Sequence, residues 1–150
     1  MRIKLFLFLV SLFVFTAKGY SVTQSDAIIG NWMSVRGNVK VRVYREGEEY
    51  KAKVLWFKDT DDKTKPMNTR TDENNPDPKL RQRKLIGLQV LSELKYNPKS
   101  KRWEGGKIYD AKTGKTWSSV AYFGKSGLLN VKGFWQFEFI GKTMVFNRSD

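Results

Sequence analysis

Val39-Lys40-Val41-Arg42-Val43-Tyr44, the acidic turn Glu46-Gly47-Glu48-Glu49, and Tyr50-Lys51-Ala52-Lys53-Val54-Leu55-Trp56 read as one β-hairpin. Apolar and polar residues alternate strictly in both arms, the period of a half-buried strand. Lys40 and Arg42 take the wet face. The same pattern continues on both sides of this hairpin. Residues 30–35 form a strand before it, and residues 103–109, 115–123, 128–135 and 143–147 form strands after it. A further strand places Leu88, Val90, Ser92, Leu94 and Tyr96 on one face and ends at Asn97-Pro98. The joins at 110–114, 124–127 and Gly141 carry Asp, Gly and Ser, as tight turns require. About eight short strands joined this way predict an all-β, antiparallel eight-stranded meander. Closing it into a barrel removes the exposed edges and leaves an interior for side chains or one small ligand. Gly105-Gly106 interrupts a strand, which marks a bulge or a close backbone approach.

One connection is much longer than the rest. Residues 59–78 are polar and acidic, and a stretch of this length inside a compact domain is generally functional or disordered. It ends at Asp77-Pro78, a helix-start signal with the cap followed by proline at the first position. The spacing predicts a short helix over 79–86, with Leu80 and Leu85 inward, Arg81, Arg83 and Lys84 outward, and Gly87 as its stop.

The first nineteen residues have a different character. Arg2 and Lys4 precede an apolar run of about eleven residues, and Ala17-Lys18-Gly19 places small residues where a signal peptidase reads. The run is too short to span a bilayer, which takes roughly 20 apolar residues. The reading is a signal peptide over 1–19, cleavage near Gly19-Tyr20, and a single barrel domain over 20–150 in the periplasm or secreted medium. No transmembrane anchor is expected.

The 150-residue chain contains no Cys and no His. That excludes disulfides, a lipid-attachment cysteine, thiol nucleophiles, Ser-His-Asp triads, ordinary zinc sites and His-ligated haem. No cofactor or metal is expected. Of 28 basic residues, Arg2, Lys4 and Lys18 belong to the leader, so 25 remain against 15 acids, a net +10. For an exported protein the matching polyanions are anionic lipid and acidic envelope polymers, and no nucleic acid is expected. A basic surface also simply keeps a domain soluble.

Several residue groups bear on chemistry. Asp59, Asp61 and Asp62, or Asp72, Asn74, Asn75 and Asp77, offer oxygens to a weakly held hard cation, or order the loop through local hydrogen bonds. Asp72, Asn75 and Asp77 are the principal candidates. Glu104 and Asp110 lie on one hairpin, and a carboxylate pair about 5–10 Å apart would suit glycoside hydrolysis. Trp103, Tyr109, Trp117 and Trp135 either line a ligand mouth or fill the core. Arg81 and Arg83 either grip a carboxylate or phosphate or pair with Asp72 and Asp77.

Gly30-x-Trp32 resembles the opening of lipocalin-like (calycin-type) barrels, where the Trp closes one end and a late Arg stacks on it. Arg148 is placed for that here. A longer series matches too: Asp72, Asn75-Pro76-Asp77-Pro78, Leu80-Arg81, Arg83, Gly87-Leu88, 103–110, Gly114-Lys115, Val131-Lys132-Gly133 and Gly141-Lys142. It resembles the bacterial domain-of-unknown-function family 2147, small exported proteins with a lipocalin-like barrel, and runs from about Ile29 to Arg148. Lys84 and Ala111 stand where that pattern often has proline. The resemblance implies a fold and a compartment, and no activity comes with it. The expected function is binding of a small amphipathic or anionic ligand, or of an anionic envelope surface. The alternatives are an envelope hydrolase using Glu104 and Asp110, and a structural partner of another envelope protein.

Overall fold

The computed structural model describes residues 23–150, so the expected leader over 1–19 lies outside the described residues. Eight strands succeed one another around a closed barrel: β1 (Gly30–Ser34), β2 (Val39–Glu46), β3 (Glu49–Phe57), β4 (Gln89–Asn97), β5 (Arg102–Asp110), β6 (Lys115–Phe123), β7 (Leu129–Phe134) and β8 (Lys142–Ser149). Every neighbouring pair is antiparallel, and β1 closes on β8 with Trp32 opposite Arg148. Closure leaves no sheet edge to pair with other chains.

One end of the barrel is filled with rings. Trp32, Tyr50 and Trp103 are each at most 2% exposed. Ring contacts run from Trp32 to Phe123 (5.9 Å), from Phe123 to Trp103 (5.6 Å) and from Trp103 to Tyr96 (5.1 Å). A 3₁₀ turn, Gln24–Ile28, lies over this end and satisfies the polar atoms of Trp32, Tyr50 and Trp103, while the Tyr96 hydroxyl is buried without a hydrogen bond. Trp32 Nε1 donates to the Ile28 carbonyl at 2.8 Å, and Trp103 Nε1 donates to that of Ser25 at 3.0 Å. Tyr50 Oη donates to the Asp26 carboxylate at 2.8 Å, which holds that carboxyl below its ordinary range. Buried indole and phenol groups that find such partners keep their hydrophobic gain without a desolvation penalty.

Arg148 completes the closure. Its guanidinium lies 4.4 Å from the Trp32 ring centroid and donates to the carbonyls of Ile29 and Ala27. Gly30 makes the room, because a Cβ there would stand 2.5 Å from Arg148 Nη1. The Gly-x-Trp pattern thus has a steric reason: the glycine admits the cation that covers the indole.

Two interior details depart from simple alternation. In β4 the buried residues are Leu91 and Leu94, with Leu88 just before the strand, rather than every second residue from Leu88 to Tyr96. Glu93 has φ 61°, and the β3–β4 register shifts around it, which moves Leu94 onto the inner face and leaves Val90 and Ser92 outside. The double glycine serves both expected purposes, one per residue. Gly105 (φ 70°) accompanies a register shift against β6, while a Cβ on Gly106 would lie 2.5 Å from Leu94 Cδ2.

The predicted helix over 79–86 is corrected to a single 3₁₀ turn, Pro78–Leu80. Its start signal operates locally, since Asp77 Oδ1 accepts from the Lys79 amide at 2.9 Å. Beyond this turn the chain is drawn out into extended pairing. Thr71 and Lys84 form a β-bridge, and the Asp72 and Leu85 amides donate to the Arg83 and Arg70 carbonyls. Leu80, expected inside, is 40% exposed. No apolar stripe therefore favours a helix over these pairings.

Candidate functional site

The 31 residues between β3 and β4 are densely cross-linked by hydrogen bonds. Arg70 grips the Asp61 carboxylate with both terminal nitrogens (3.1 and 2.8 Å) and donates Nε to the Lys65 carbonyl at 2.7 Å. Asp59 accepts from the Met67 amide, and Asp62 from the Thr64 amide and hydroxyl. The acidic run is therefore ordered by an arginine and by backbone amides. Among the described residues no group of three or more acidic side chains is arranged around a cation site.

The second half of the loop is centred on Asp72, which is fully buried. Oδ1 accepts from Tyr109 Oη at 2.6 Å. Oδ2 accepts from Asn75 Nδ2 at 2.7 Å and Arg83 Nε at 2.9 Å, and Arg83 Nη2 lies 2.8 Å from it in an ion pair. Burial alone would raise this carboxyl, but these donors outweigh it and hold Asp72 below the ordinary carboxylate range. Burial and the Asp72 carboxylate push the Tyr109 phenol up, so it remains a donor at neutral pH. Arg83 also lies over the Tyr109 ring at 5.5 Å. Asn75 Oδ1 accepts from the Asp77 amide, and the Asn75 carbonyl accepts from Arg81 Nε at 2.8 Å. Asn74 Nδ2 donates to the Lys112 carbonyl at 3.0 Å, fastening the loop to the β5–β6 turn. The fit there is tight: a Cβ on Gly114 would meet the Asn74 carbonyl oxygen at 2.0 Å.

Docked in this way, the loop forms one side of a cleft of about 300 Å³ whose other side is β4, β5 and β6. Asn75, Pro76 and Arg83 face Gln89, Ser92, Lys107, Tyr109 and Thr116 across it. Lys107 and Thr116 also line a second cleft of about 470 Å³, whose remaining walls are Trp117, Ser118, Trp135 and Gln136. The Trp117 and Trp135 rings meet edge to face at 5.8 Å. The two lobes thus share a wall and differ in chemistry. The first presents hydroxyls, amides and a neutralised Arg83–Asp72 pair, and the second presents two indoles. Lys107 belongs to both and forms no ion pair among the described residues. Each volume falls in the usual range for small-molecule sites, roughly 300–1,000 Å³.

The groove brings together Arg83, Tyr109 and Trp117 from the sequence candidates. Arg81 supports the loop from behind Asn75. Trp103 is excluded from any ligand surface because it is 1% exposed in the ring-filled end. Arg83 is committed to Asp72 and is not a free fork for an external anion. Lys107, Ser92 and Thr116 were not candidates from sequence, although Lys107 falls on the wet side of its strand. Glu104 and Asp110 do not converge. Glu104 accepts from Asn97 Nδ2 and Ser100 Oγ, and Asp110 from the Lys112 amide and Thr113 Oγ1, each at its own turn. The strand between them holds them roughly 20 Å apart at about 3.3 Å per residue, beyond the window for a hydrolytic pair.

The relatives of this chain agree with its architecture. The family model described as "Uncharacterized protein conserved in bacteria (DUF2147)" matches residues 30–148, from the first strand to the last. No curated protein matches the chain. Among solved structures it is similar to protein HP1028 from the human pathogen Helicobacter pylori, described as belonging to the lipocalin family. The two are 24% identical, the match covers 82% of this chain and 83% of that one, and the TM-score is 0.67. At that identity the likeness speaks for the fold, and it agrees with the closed eight-stranded barrel. The chain therefore belongs to the DUF2147 family of uncharacterised bacterial proteins, built on a lipocalin-like barrel.

Proposed function

We propose that this protein is an exported binding protein that holds a small amphipathic anion in the groove between the long loop and the β4–β6 wall. The observation that carries the reading is Lys107. It is a cation with no acidic partner among the described residues, at the wall shared by a polar lobe and an indole-lined lobe. A carboxylate or phosphate near Lys107, Ser92 and Thr116 would leave an apolar tail free to lie against Trp117 and Trp135. Charge-assisted hydrogen bonds fix the head, and apolar burial contributes most of the affinity. The sequence supports export through residues 1–19, and the intact mass of the protein from the extracytoplasmic fraction should correspond to a chain beginning near Tyr20.

Calorimetric titration with dodecyl phosphate, kept below its micellar concentration, tests the binding. Dodecanol serves as the uncharged control. Binding of the phosphate should exceed that of the alcohol at least tenfold, and Lys107→Met should remove that preference while leaving the melting temperature unchanged. Equal affinity for the two amphiphiles would overturn the reading.

A further inference from the structure

Between β7 and β8 the chain exposes large apolar side chains that neither the barrel nor the groove uses. Phe137 is 55% exposed, Phe139 79% and Ile140 67%, next to Trp135 at 68%. Four such residues within six positions form a patch that soluble surfaces rarely tolerate without a purpose. The segment is also held in shape. Gly141 N donates to the Glu138 carbonyl at 3.1 Å, and Ile140 N to that of Phe137 at 3.3 Å. The Phe137 and Phe139 rings stack at 5.6 Å. At its exit, Gly141 passes so close to β7 that a Cβ would stand 2.5 Å from the Gly133 carbonyl oxygen. The rings are presented by a built turn.

The charge around this strap has one sign. Lys132 and Lys142 flank it on β7 and β8, and neither forms an ion pair among the described residues. The strap's own acid, Glu138, is neutralised by Arg102. Aromatic side chains beside lysines are the composition that settles at a bilayer interface, with rings at headgroup depth and ammonium groups among phosphates. A protein partner would instead have to supply a groove both apolar and acidic. We infer that residues 135–140 are a membrane-contacting strap that seats its apolar side chains among the headgroups of an anionic phospholipid surface. This goes beyond ligand binding in the groove; the two share Trp135 and Gln136 at the cleft's rim, but Phe137, Phe139 and Ile140 belong to the strap alone. Either can fail without the other.

The test uses wild-type protein and variants, purified identically, with vesicles of phosphatidylcholine alone or with 30% phosphatidylglycerol. Sedimentation measures the bound fraction, and the quenching of tryptophan emission by brominated lipid that is lost in Trp135→Phe reports the depth of Trp135 among the five tryptophans. Wild type should partition at least tenfold more strongly onto the phosphatidylglycerol vesicles, with emission quenched. Phe139→Ser combined with Ile140→Ser should reduce that partitioning at least tenfold while dodecyl phosphate binding and melting temperature stay unchanged. Lys132→Gln with Lys142→Gln should remove most of the preference for the anionic lipid. Weak wild-type partitioning, equal partitioning onto both lipids, or a Phe139/Ile140 variant that binds as wild type would each overturn the assignment. So would a wild-type dimer in light scattering that this variant dissociates in the absence of vesicle binding, because the strap would then be a self-association surface.

Discussion

The two halves of the molecule are stabilised by opposite means. The end covered by Gln24–Ile28 is a stack of rings in which Trp32, Trp103 and Tyr50 each have a single backbone or carboxylate partner, while the Tyr96 hydroxyl is buried without one. The loop side has little apolar content and is organised around one buried carboxylate with three short hydrogen bonds and an ion pair to Arg83. Apolar packing tolerates modest change, because neighbouring atoms relax around a small cavity. A buried ionic centre does not, because losing one partner leaves a charge without water or counter-charge. The first region sets the barrel, and the second sets the position of the groove.

The largest effect should come from the ring-filled end. Trp103→Ala removes a side chain that touches three other rings. It should cost about 3–5 kcal/mol in urea unfolding. The whole fold should then lose cooperativity together, since the same rings are shared by β1, β3, β4, β5 and β6. A loss below about 1 kcal/mol would mean that the rings are not the barrel's keystone.

Arg83→Gln attacks the other region and should cost about 3 kcal/mol by leaving Asp72 buried and unpaired. Its signature should be local. Amide exchange at Asp72 and Leu85 should accelerate while amides around Trp32 remain protected, because a loop can open below the global unfolding free energy. The same centre predicts an acid sensitivity. Asp72 has its folded-state carboxyl held below its unfolded value, near 3.9 for an ordinary Asp. Its stabilisation is complete above that pH and is lost as pH falls through the lower folded value. Below about pH 4 the wild type should therefore lose stability more steeply than Asp72→Asn. Parallel curves would place the acid sensitivity elsewhere.

The smallest expected effect refines the first region. Arg148→Ala should cost about 1–2 kcal/mol through its stacking on Trp32 and its two carbonyl contacts. A double-mutant cycle with Trp32→Phe should show coupling between them, and strict additivity would mean that the stack contributes nothing.

Legibility in the sequence divides along the same line. Alternation and turn residues reveal all eight strands, because strand periodicity is a local property of each segment. Gly105-Gly106 announced an irregularity, but Glu93 did not, since nothing in its own chemistry predicts a positive φ. The inner face of β4 therefore departs from strict alternation in a way its sequence does not signal. The loop was legible only in part. Asp72, Asn75 and Tyr109 stood out singly, yet their meeting depends on residues 34 to 37 positions apart. Arg83 read equally as a free cation and as a partner of Asp72, and geometry alone separates the two. Lys107 was hidden among many lysines. It differs from them because the folded loop makes it part of a wall.

An amphipathic anion held by Lys107 would lie outside the barrel, in the groove that the loop completes. Nuclear magnetic resonance with a doxyl-labelled fatty acid, whose unpaired electron broadens nearby signals, locates such a ligand directly. Signals of Ser92, Lys107, Thr116 and the Trp135 indole should broaden, with the methyl groups of Val43, Ala52 and Leu129 unaffected. Broadening of those interior methyl groups, with Lys107 and Thr116 untouched, would place the ligand inside the barrel and refute binding in the groove.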